Sequence, residues 1–416
     1  MKDFETTVST LEYGIKIGKI LGSRQEKGVG IAFDGEKASR LFAEAIKIGI
    51  IFCGGTVYNY GEQNMPIMRS AVRFCRNDYG VYVHKSSAID KEEIKIVLMD
   101  KYGIELSSEQ TEVLINHGCA AENSGKASET SSVMKMIEAG SEKKLSEFKT
   151  YYIRHMINNV KSREFKVNFH LTTSLKPVSE VLNGILGEFY SYMNPECTGN
   201  YEFGGEITDG GDRIILEKSD GTRLSEEQAI SVMTYVLLRD SSVRTFVLPE
   251  SISRSAEDAI LKLGGNVIRT DGGRRQRMEK MIEYGNQEQL MMEFDGVYAA
   301  VRILDFLNRF DISFDMLVEH LPNVFKAEAE IDFSDEKNND IDKIMKRIRR
   351  KYHGSESENG RNIRIETDGG IALVVPKTSS NIIKIITEAE SMEAAQEISA
   401  MFKDGIKMLV KNTCND

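Results

Sequence analysis

The chain has 416 residues, 41% hydrophobic and 28% charged, with a formal net charge of -10; that length exceeds a single core and predicts about three or four domains. The negative balance gives no electrostatic support for nucleic acid or an anionic membrane as a partner, and no apolar run reaches the length of a membrane span. A polar, acidic start and five scattered cysteines without a CxxC pair read as a cytoplasmic protein with reduced thiols, and the six histidines lack paired metal spacing.

Residues 29–33 predict a short apolar strand that ends at Asp34-Gly35. A helix follows over 36–48, with Leu41, Phe42, Ala45 and Ile46 on one face. Residues 57–60 predict a second strand. A helix runs from Pro66, a good first-turn residue, to about residue 74. A third strand, 80–83, leads into His84-Lys85-Ser86-Ser87. This βαβαβ order predicts a parallel sheet with right-handed crossovers. In such sheets ligands meet the loops at the carboxyl ends of strands, and Asp34 and the 84–87 loop are two such ends. A strand at 94–99, a helix at 107–117 and mostly helix over 128–160 complete a first domain, 1–162.

A shorter α/β unit, 163–224, starts with 166–170, continues with a helix at 177–186 and a strand at 188–192, and ends in the 208–213 loop. Ser219-Asp220-Gly221 is a hairpin turn. The third unit, 225–325, opens on a capping box, Ser225-Glu226-Glu227-Gln228, with a helix to about 238. Strands at 244–248 and 266–269 flank a helix at 254–263. A basic turn at 270–277, a helix to 284, a strand at 290–293 and a helix at 295–310 follow. The last domain, 326–416, holds an amphipathic basic helix at 340–352. It also holds a hairpin of 362–366 with 371–375, a polar loop at 376–381, a strand at 382–389 and a helix at 392–409. The expected fold class is α/β, three consecutive α/β domains followed by a smaller α+β domain.

The stretch from Gly205 to Leu216 carries the most chemistry. Asp209-Gly210-Gly211-Asp212-Arg213 combines backbone freedom, two carboxylates and a cation, which suits a loop facing a metal or a phosphate. The plainer alternative is a tight surface turn before a strand. Thr-Asp-Gly-Gly recurs at Thr208, Thr270 and Thr367, with unequal spacing and different flanks, which reads as recurring turn chemistry and not a repeat architecture.

This order of domains, with a strand-end serine in the first and an Asp/Gly loop between the second and third, resembles the α-D-phosphohexomutase superfamily, the phosphoglucomutases and phosphomannomutases. The residues Gly80-Val81-Tyr82-Val83-His84-Lys85-Ser86 and Gly210-Gly211-Asp212-Arg213 look closest to the divergent mutase-like module fused to sugar-phosphate nucleotidyltransferases in some bacteria. The resemblance implies a phosphoserine on the first-domain loop that exchanges its phosphoryl group with a hexose phosphate. It also implies a magnesium ion held by three aspartates of a D-x-D-x-D-R loop, a third domain that reads the sugar and a fourth that grips the phosphate. The physics would be positioning plus cationic stabilisation of an anionic transition state.

Carried over residue by residue, Ser86 falls on the nucleophile of T-A-S-H-N-P, but the next residues are Ser87, Ala88 and Ile89. In the metal loop Asp212 and Arg213 match, and two of three metal carboxylates are replaced. The G-E-x-S-G sugar loop should fall near 290–295, where the chain has Met291-Met292-Glu293-Phe294. The phosphate loop R-P-S-G-T-E-P becomes Val375-Pro376-Lys377-Thr378-Ser379-Ser380-Asn381, so Lys377, Thr378, Ser379 and Ser380 are the anion-binding candidates. Arg274 stands where the family often has His or Lys. The opening F-G-T-x-G-x-R-G motif is absent.

These losses on every catalytic loop imply a fold-retaining relative with little or no mutase activity, binding a hexose phosphate or nucleotide-sugar in a regulatory or scaffolding role. The alternative is an active phosphoglucomutase or phosphomannomutase, with a phosphoserine at Ser86 and magnesium at Asp212. A third reading is an interaction module for a partner such as a nucleotidyltransferase, using faces that carry Met134, Met136, Tyr151 and Tyr152.

Overall fold

The computed structural model describes residues 2–22, 28–85, 93–107, 109–114, 139–191, 201–270, 273–333, 341–356, 361–377 and 381–413. It is a mixed α/β chain that divides into two compact units. Unit 1 comprises Met1–Val236 and Glu288–Val318, and unit 2 comprises Leu237–Gln287 and Glu319–Asp416. Among the described residues no helix is long and apolar enough to cross a membrane.

Unit 1 begins with α1 (Lys2–Gly22), which the sequence reading did not assign. Strands β1 (Gly28–Phe33), β2 (Thr56–Glu62), β3 (Tyr79–Lys85), β4 (Ile94–Asp100) and β5 (Ser141–Lys144) form one sheet in the order β4-β3-β1-β2-β5. β1 pairs parallel with β2 and β3, as the βαβαβ order predicts, and β2 pairs parallel with β5. β4 is antiparallel to β3. Val29, Ile31, Val57, Val81 and Val83 pack against Ile46 and Ile50 of α2 (Lys37–Phe52); of the face expected from the helical spacing, Ala45 and Ile46 are buried and Phe42 half-buried, but Leu41 is exposed. α3 (Met65–Phe74) starts where Asn64 caps the Ile67 amide at 2.9 Å, with Pro66 in its first turn.

A second sheet in unit 1 has the order β6-β7-β8, from β6 (Phe169–Thr172), β7 (Phe203–Thr208) and β8 (Arg213–Glu217). β6 and β7 are parallel, β7 and β8 antiparallel. In the chain α4 (Phe148–Asn159) precedes β6, and α5 (Lys176–Leu186) lies between β6 and β7. Residues 188–191, the described part of the expected strand 188–192, do not form it: Gly187–Phe189 is a 3-10 turn that continues α5, and Tyr190 stops it in the left-handed region at φ 56°. The expected long helix over 128–160 reduces, among the described residues, to α4 preceded by the edge strand β5.

α6 (Glu226–Asp240) opens on the predicted capping box: the Gln228 amide donates to Ser225 Oγ at 3.2 Å and the Ser225 amide to Gln228 Oε1 at 3.0 Å. In unit 2, β9 (Thr245–Pro249) and β10 (Asn266–Thr270) are parallel, with α7 (Arg254–Lys262) between them in the chain. α8 (Arg274–Glu283) follows. The strand expected at 290–293 is instead helix α9 (Gln287–Phe294), in which Leu290, Met291, Met292 and Phe294 are buried. A short apolar run has the same composition in a buried helix as in a buried strand, so length and burial decide. From Glu288 to Val318, which takes in almost all of α9, α10 (Gly296–Phe310) and α11 (Phe314–Glu319), the chain is again in unit 1.

The rest of unit 2 is an antiparallel sheet over which two helices close a core. β11 (Phe325–Asp332), β12 (Ser355–Glu356), β13 (Ile363–Thr367), β14 (Gly370–Lys377) and β15 (Ile382–Ala389) run in the order β11-β15-β14-β13-β12. Ile344 and Ile348 of α12 (Ile341–Tyr352), and Phe402 and Ile406 of α13 (Met392–Thr413), meet Ile365, Val374, Ile383 and Ile385. The predicted polar loop starts late, because β14 stays paired with β15 through Lys377.

Helices α1 and α2 approach closely through glycines. A Cβ at Gly18 would stand 2.0 Å from the Ile46 carbonyl oxygen and 2.9 Å from the Gly49 Cα. Both obstacles are backbone, so Gly18→Ala is expected to lower unfolding stability by about 1–3 kcal/mol in urea titration. An unchanged midpoint would show that the helices part freely.

Candidate functional site

The 208–213 loop leaves β7 through a 3-10 turn, Asp209–Gly211. Gly210 and Gly211 sit at φ 72° and 99°, a region that side chains disfavour, so the two glycines are what let the turn form. The turn lies against the start of α3: a Cβ on Gly211 would be 3.2 Å from Asn64 Cβ, and one on Gly210 3.5 Å from Met65 Cβ. This contact carries Asp212 inside. It is 2% exposed, and its Oδ2 accepts from Arg69 Nη2 at 2.8 Å. Arg69, 4% exposed on the apolar face of α3, also reaches Glu105 Oε1 at 2.7 Å and Met65 Sδ at 3.2 Å. Arg213 points the other way, 53% exposed and 4.0 Å from Glu226.

The metal expected at this loop can be tested against these donors. Magnesium takes oxygen ligands in near-ideal octahedral geometry. Asp212 offers a carboxylate already engaged by a guanidinium, with a thioether and a second carboxylate on the same guanidinium. Among the described residues no group of three or more His, Cys, Asp or Glu is placed to hold a metal ion. The donors present do not fit magnesium.

The serine loop begins at the end of β3. Asp34 Oδ2 accepts the Lys85 amide at 2.6 Å, Oδ1 accepts the Glu36 amide at 3.0 Å, and the Asp34 amide donates to the Val83 carbonyl at 3.2 Å. Asp34 therefore clamps the chain just before Ser86, which itself lies outside the described residues. Tyr82 links this end to the glycine loop. A Cβ on Gly210 would be 3.6 Å from the Tyr82 ring, the hydroxyl donates to the Gln63 carbonyl at 3.1 Å, and the ring stacks on His84 at 5.4 Å. Burial, then the charges of Asp34 and Asp212, push the Tyr82 hydroxyl well above the ordinary phenol range. Burial lowers the His84 imidazole, which favours the neutral ring, while its hydrogen bond with the Lys85 carbonyl opposes that shift. The end of β3, at His84, and the glycine loop thus both lie against the Tyr82 ring.

Sequence reasoning missed the buried charges behind this meeting point. Asp295 caps α10 by accepting the Tyr298 amide at 3.0 Å, and it accepts the Tyr152 hydroxyl. Burial pushes its carboxyl up to about 6; the Tyr152 hydrogen bond opposes the shift and the charge of Asp212 adds to it. Burial, then the charge of Arg69, lowers the Arg73 guanidinium, while Asp295 acts in the opposite sense. The available signal was Arg69 and Arg73, four residues apart on one side of an otherwise apolar helix. Tyr152, a candidate for an exposed face, is an interior residue; its neighbour Tyr151 is 45% exposed and packs on Phe74. Met134 and Met136 lie outside the described residues.

The remaining candidates are in unit 2. Arg274 is the first residue of α8, after Gly273, and Arg275 pairs with Glu279 at 2.6 Å. Lys377 ends β14 and pairs with Glu330 at 2.5 Å, both partners half exposed. Thr378, Ser379 and Ser380 lie outside the described residues.

Residues 3–123 match the family model described as phosphoglucomutase/phosphomannomutase, alpha/beta/alpha domain I. A probable phosphoglucosamine mutase of Pyrococcus horikoshii is 22% identical, over 97% of this chain and 95% of that protein. Along most of its length the chain is similar to members of the α-D-phosphohexomutase superfamily. A probable phosphoglucosamine mutase of Methanopyrus kandleri is 21% identical over 48% of this chain and 46% of its own. Among superfamily structures, a phosphoglucomutase/phosphomannomutase family protein from Burkholderia thailandensis superposes with a TM-score of 0.75 at 15% identity, covering 96% of this chain and 94% of that one. The parafusin phosphoglucomutase of Paramecium, in its open form, gives 0.66 at 12% identity, covering 96% and 91%. The N-acetylphosphoglucosamine mutase of Aspergillus fumigatus, solved with GlcNAc-6P and magnesium, gives 0.52 at 9% identity, covering 83% and 91%. At these identities the structures share the phosphohexomutase fold.

The Asp295 carboxyl makes a pH prediction. Its pKa is raised in the folded chain from 3.8 to about 6, so the folded state keeps a proton that the unfolded state releases. The stability this group contributes is complete below pH 3.8 and is lost as pH rises through about 6. A rise of that size corresponds to about 3 kcal/mol. Asp295→Asn should flatten the fall in unfolding free energy between about pH 4 and pH 7; an unaltered profile would assign the slope to other groups.

Proposed function

We propose that this chain is a phosphosugar-binding member of the phosphohexomutase superfamily with little or no mutase turnover. The observation that carries the reading is the state of Asp212. The carboxylate that matches the family's metal loop is buried and held by Arg69. Magnesium-assisted phosphoryl transfer needs cationic charge at the moving phosphoryl group, and a carboxylate turned inward does not hold a cation there. Binding needs less. Arg213 is exposed at the loop, and Arg274 and Lys377, with Thr378, Ser379 and Ser380, supply cationic and hydroxyl groups of the kind that recognise phosphate. The proposal keeps the division into domains 1–162, 163–224, 225–325 and 326–416. Its ligand is a hexose phosphate or nucleotide-sugar. Its use is regulatory or scaffolding, with a nucleotidyltransferase as the proposed partner and the cytoplasm as the proposed location.

An active mutase is the second reading. The Asp34 clamp favours it, because it braces the residue before Ser86, and full-length likeness to probable phosphoglucosamine mutases favours it too. One experiment separates the two. The chain is incubated with a hexose 1,6-bisphosphate and magnesium, assayed for interconversion of glucose and glucosamine 1- and 6-phosphates, and its Ser86 peptide is weighed by mass spectrometry. The proposal predicts no turnover above background and no stoichiometric phosphorylation of Ser86. It also predicts calorimetric binding of a hexose phosphate that EDTA leaves unchanged. Turnover that disappears in Ser86→Ala would establish the active mutase instead.

A further inference from the structure

We propose that Arg69 takes the place of a divalent cation beneath the glycine loop, so that this site takes no metal while Arg69 is present. The inference extends the reading of Asp212 above. It concerns what neutralises the loop, and it stands or falls separately from phosphosugar binding.

Two separate segments meet on this one guanidinium, which a third, α3, supplies. Asp212 brings in the 209–212 turn at 2.8 Å. Glu105 brings in the chain after β4 at 2.7 Å. Gly103, at φ 73°, fits so close that a Cβ would lie 2.8 Å from the Arg69 carbonyl oxygen. α3 supplies Arg69 from a face that is otherwise Met65, Pro66, Ile67, Met68, Ala71 and Val72, all buried. A cation on an apolar helix face has to be paired, and here the pairing gathers carboxylates from distant parts of the chain.

A metal ion would draw the same carboxylates together, but the two cations have different requirements. Magnesium binds oxygen at short distances and retains water. The guanidinium is a flat fork of N–H donors that meets carboxylates by hydrogen bonds. It is fixed to the backbone, so neither a chelator nor a low metal concentration removes it. With Arg69 at 2.8 Å from Asp212, a divalent ion on that carboxylate would stand beside a like charge in a poorly solvated place. The two cations are mutually exclusive occupants. Removing the guanidinium should therefore uncover a metal-binding carboxylate.

The test titrates the full chain with Mn2+ and follows bound ion by electron paramagnetic resonance and stability by thermal melting. The wild-type chain is expected to show no Mn2+ binding that Asp212→Asn removes, and the same melting temperature with Mn2+, magnesium or EDTA. Arg69→Ala is expected to bind Mn2+ about tenfold or more tightly than wild type. It should melt at lower temperature than wild type and regain part of the loss on adding Mn2+. Both effects should vanish in Arg69→Ala combined with Asp212→Asn. A wild-type Mn2+ site that Asp212→Asn abolishes would overturn the proposal, and that arm does not depend on Arg69→Ala folding. A folded Arg69→Ala chain without any gain in Mn2+ affinity would overturn it as well. Phosphorylation of Ser86 would overturn the reading of low turnover and leave these Mn2+ results to decide this one.

Discussion

A charged pair withdrawn from water, Asp212 with Arg69, is the constraint on which the rest of unit 1 depends. Taking either charge out of solvent costs several kcal/mol, and the mutual attraction offsets this only when geometry is good and further hydrogen bonds are made. Arg69 Nη2 meets Asp212 at 2.8 Å and has Glu105 as a second acceptor at 2.7 Å. The local structure serves this contact. Asn64 and Pro66 start α3 where its fifth residue reaches the loop, and Gly210 and Gly211 let the loop turn tightly against the helix start. Once the loop is seated, Tyr82 lies under it and the serine-loop end of β3 follows on the same wall.

The pair also has to coexist with other buried charge. Arg73 lies one turn further along α3, and its charge and that of Arg69 disfavour each other. Asp295 answers from the start of α10, where it is held by Tyr152 and by the Tyr298 amide. Further along α10, the fully buried Asp305 accepts the Ser162 amide at 2.8 Å, the Ser162 hydroxyl at 2.6 Å and Arg309 Nε at 3.2 Å. That fixes the chain entering the second sheet. Polar contacts of this kind give a well-defined arrangement more than they give net stability, because each has a desolvation cost to offset. They make the framework specific while the apolar layers around Ile46, Ile50 and Leu182 supply most of the driving force.

Much of this framework can be read locally. The parallel strands, the Asn64 and Pro66 start, the Ser225/Gln228 box and the strand-end position of Asp34 all come from short-range patterns, and short-range physics is enough to form them. The pair that matters most is not local. Arg69 and Asp212 are 143 residues apart, and nothing in either neighbourhood names the other. The loop's composition suggested that it faces a metal or a phosphate; in the structure its Asp212 faces Arg69. For 290–293 the difficulty is different: four apolar residues fit a helix or a strand equally well, and the burial of the α9 face decides it. Tyr152 was legible as an aromatic on a helix, but its acid partner at Asp295 is again 143 residues distant.

The most direct measurement is a double-mutant cycle on the pair, with Arg69→Met, Asp212→Asn and the combined variant compared with wild type by urea unfolding in EDTA. If the guanidinium neutralises the loop, Arg69→Met is strongly destabilising, by about 3–5 kcal/mol, since it takes the cation from the buried Asp212 carboxylate, and Asp212→Asn is less so, since Arg69 keeps Glu105. The combined variant should then cost clearly less than the sum, with a coupling energy of about 2–3 kcal/mol. Strictly additive effects would contradict the account, because they would mean that Asp212 and Arg69 reside in the interior independently and that something other than their attraction seats the loop.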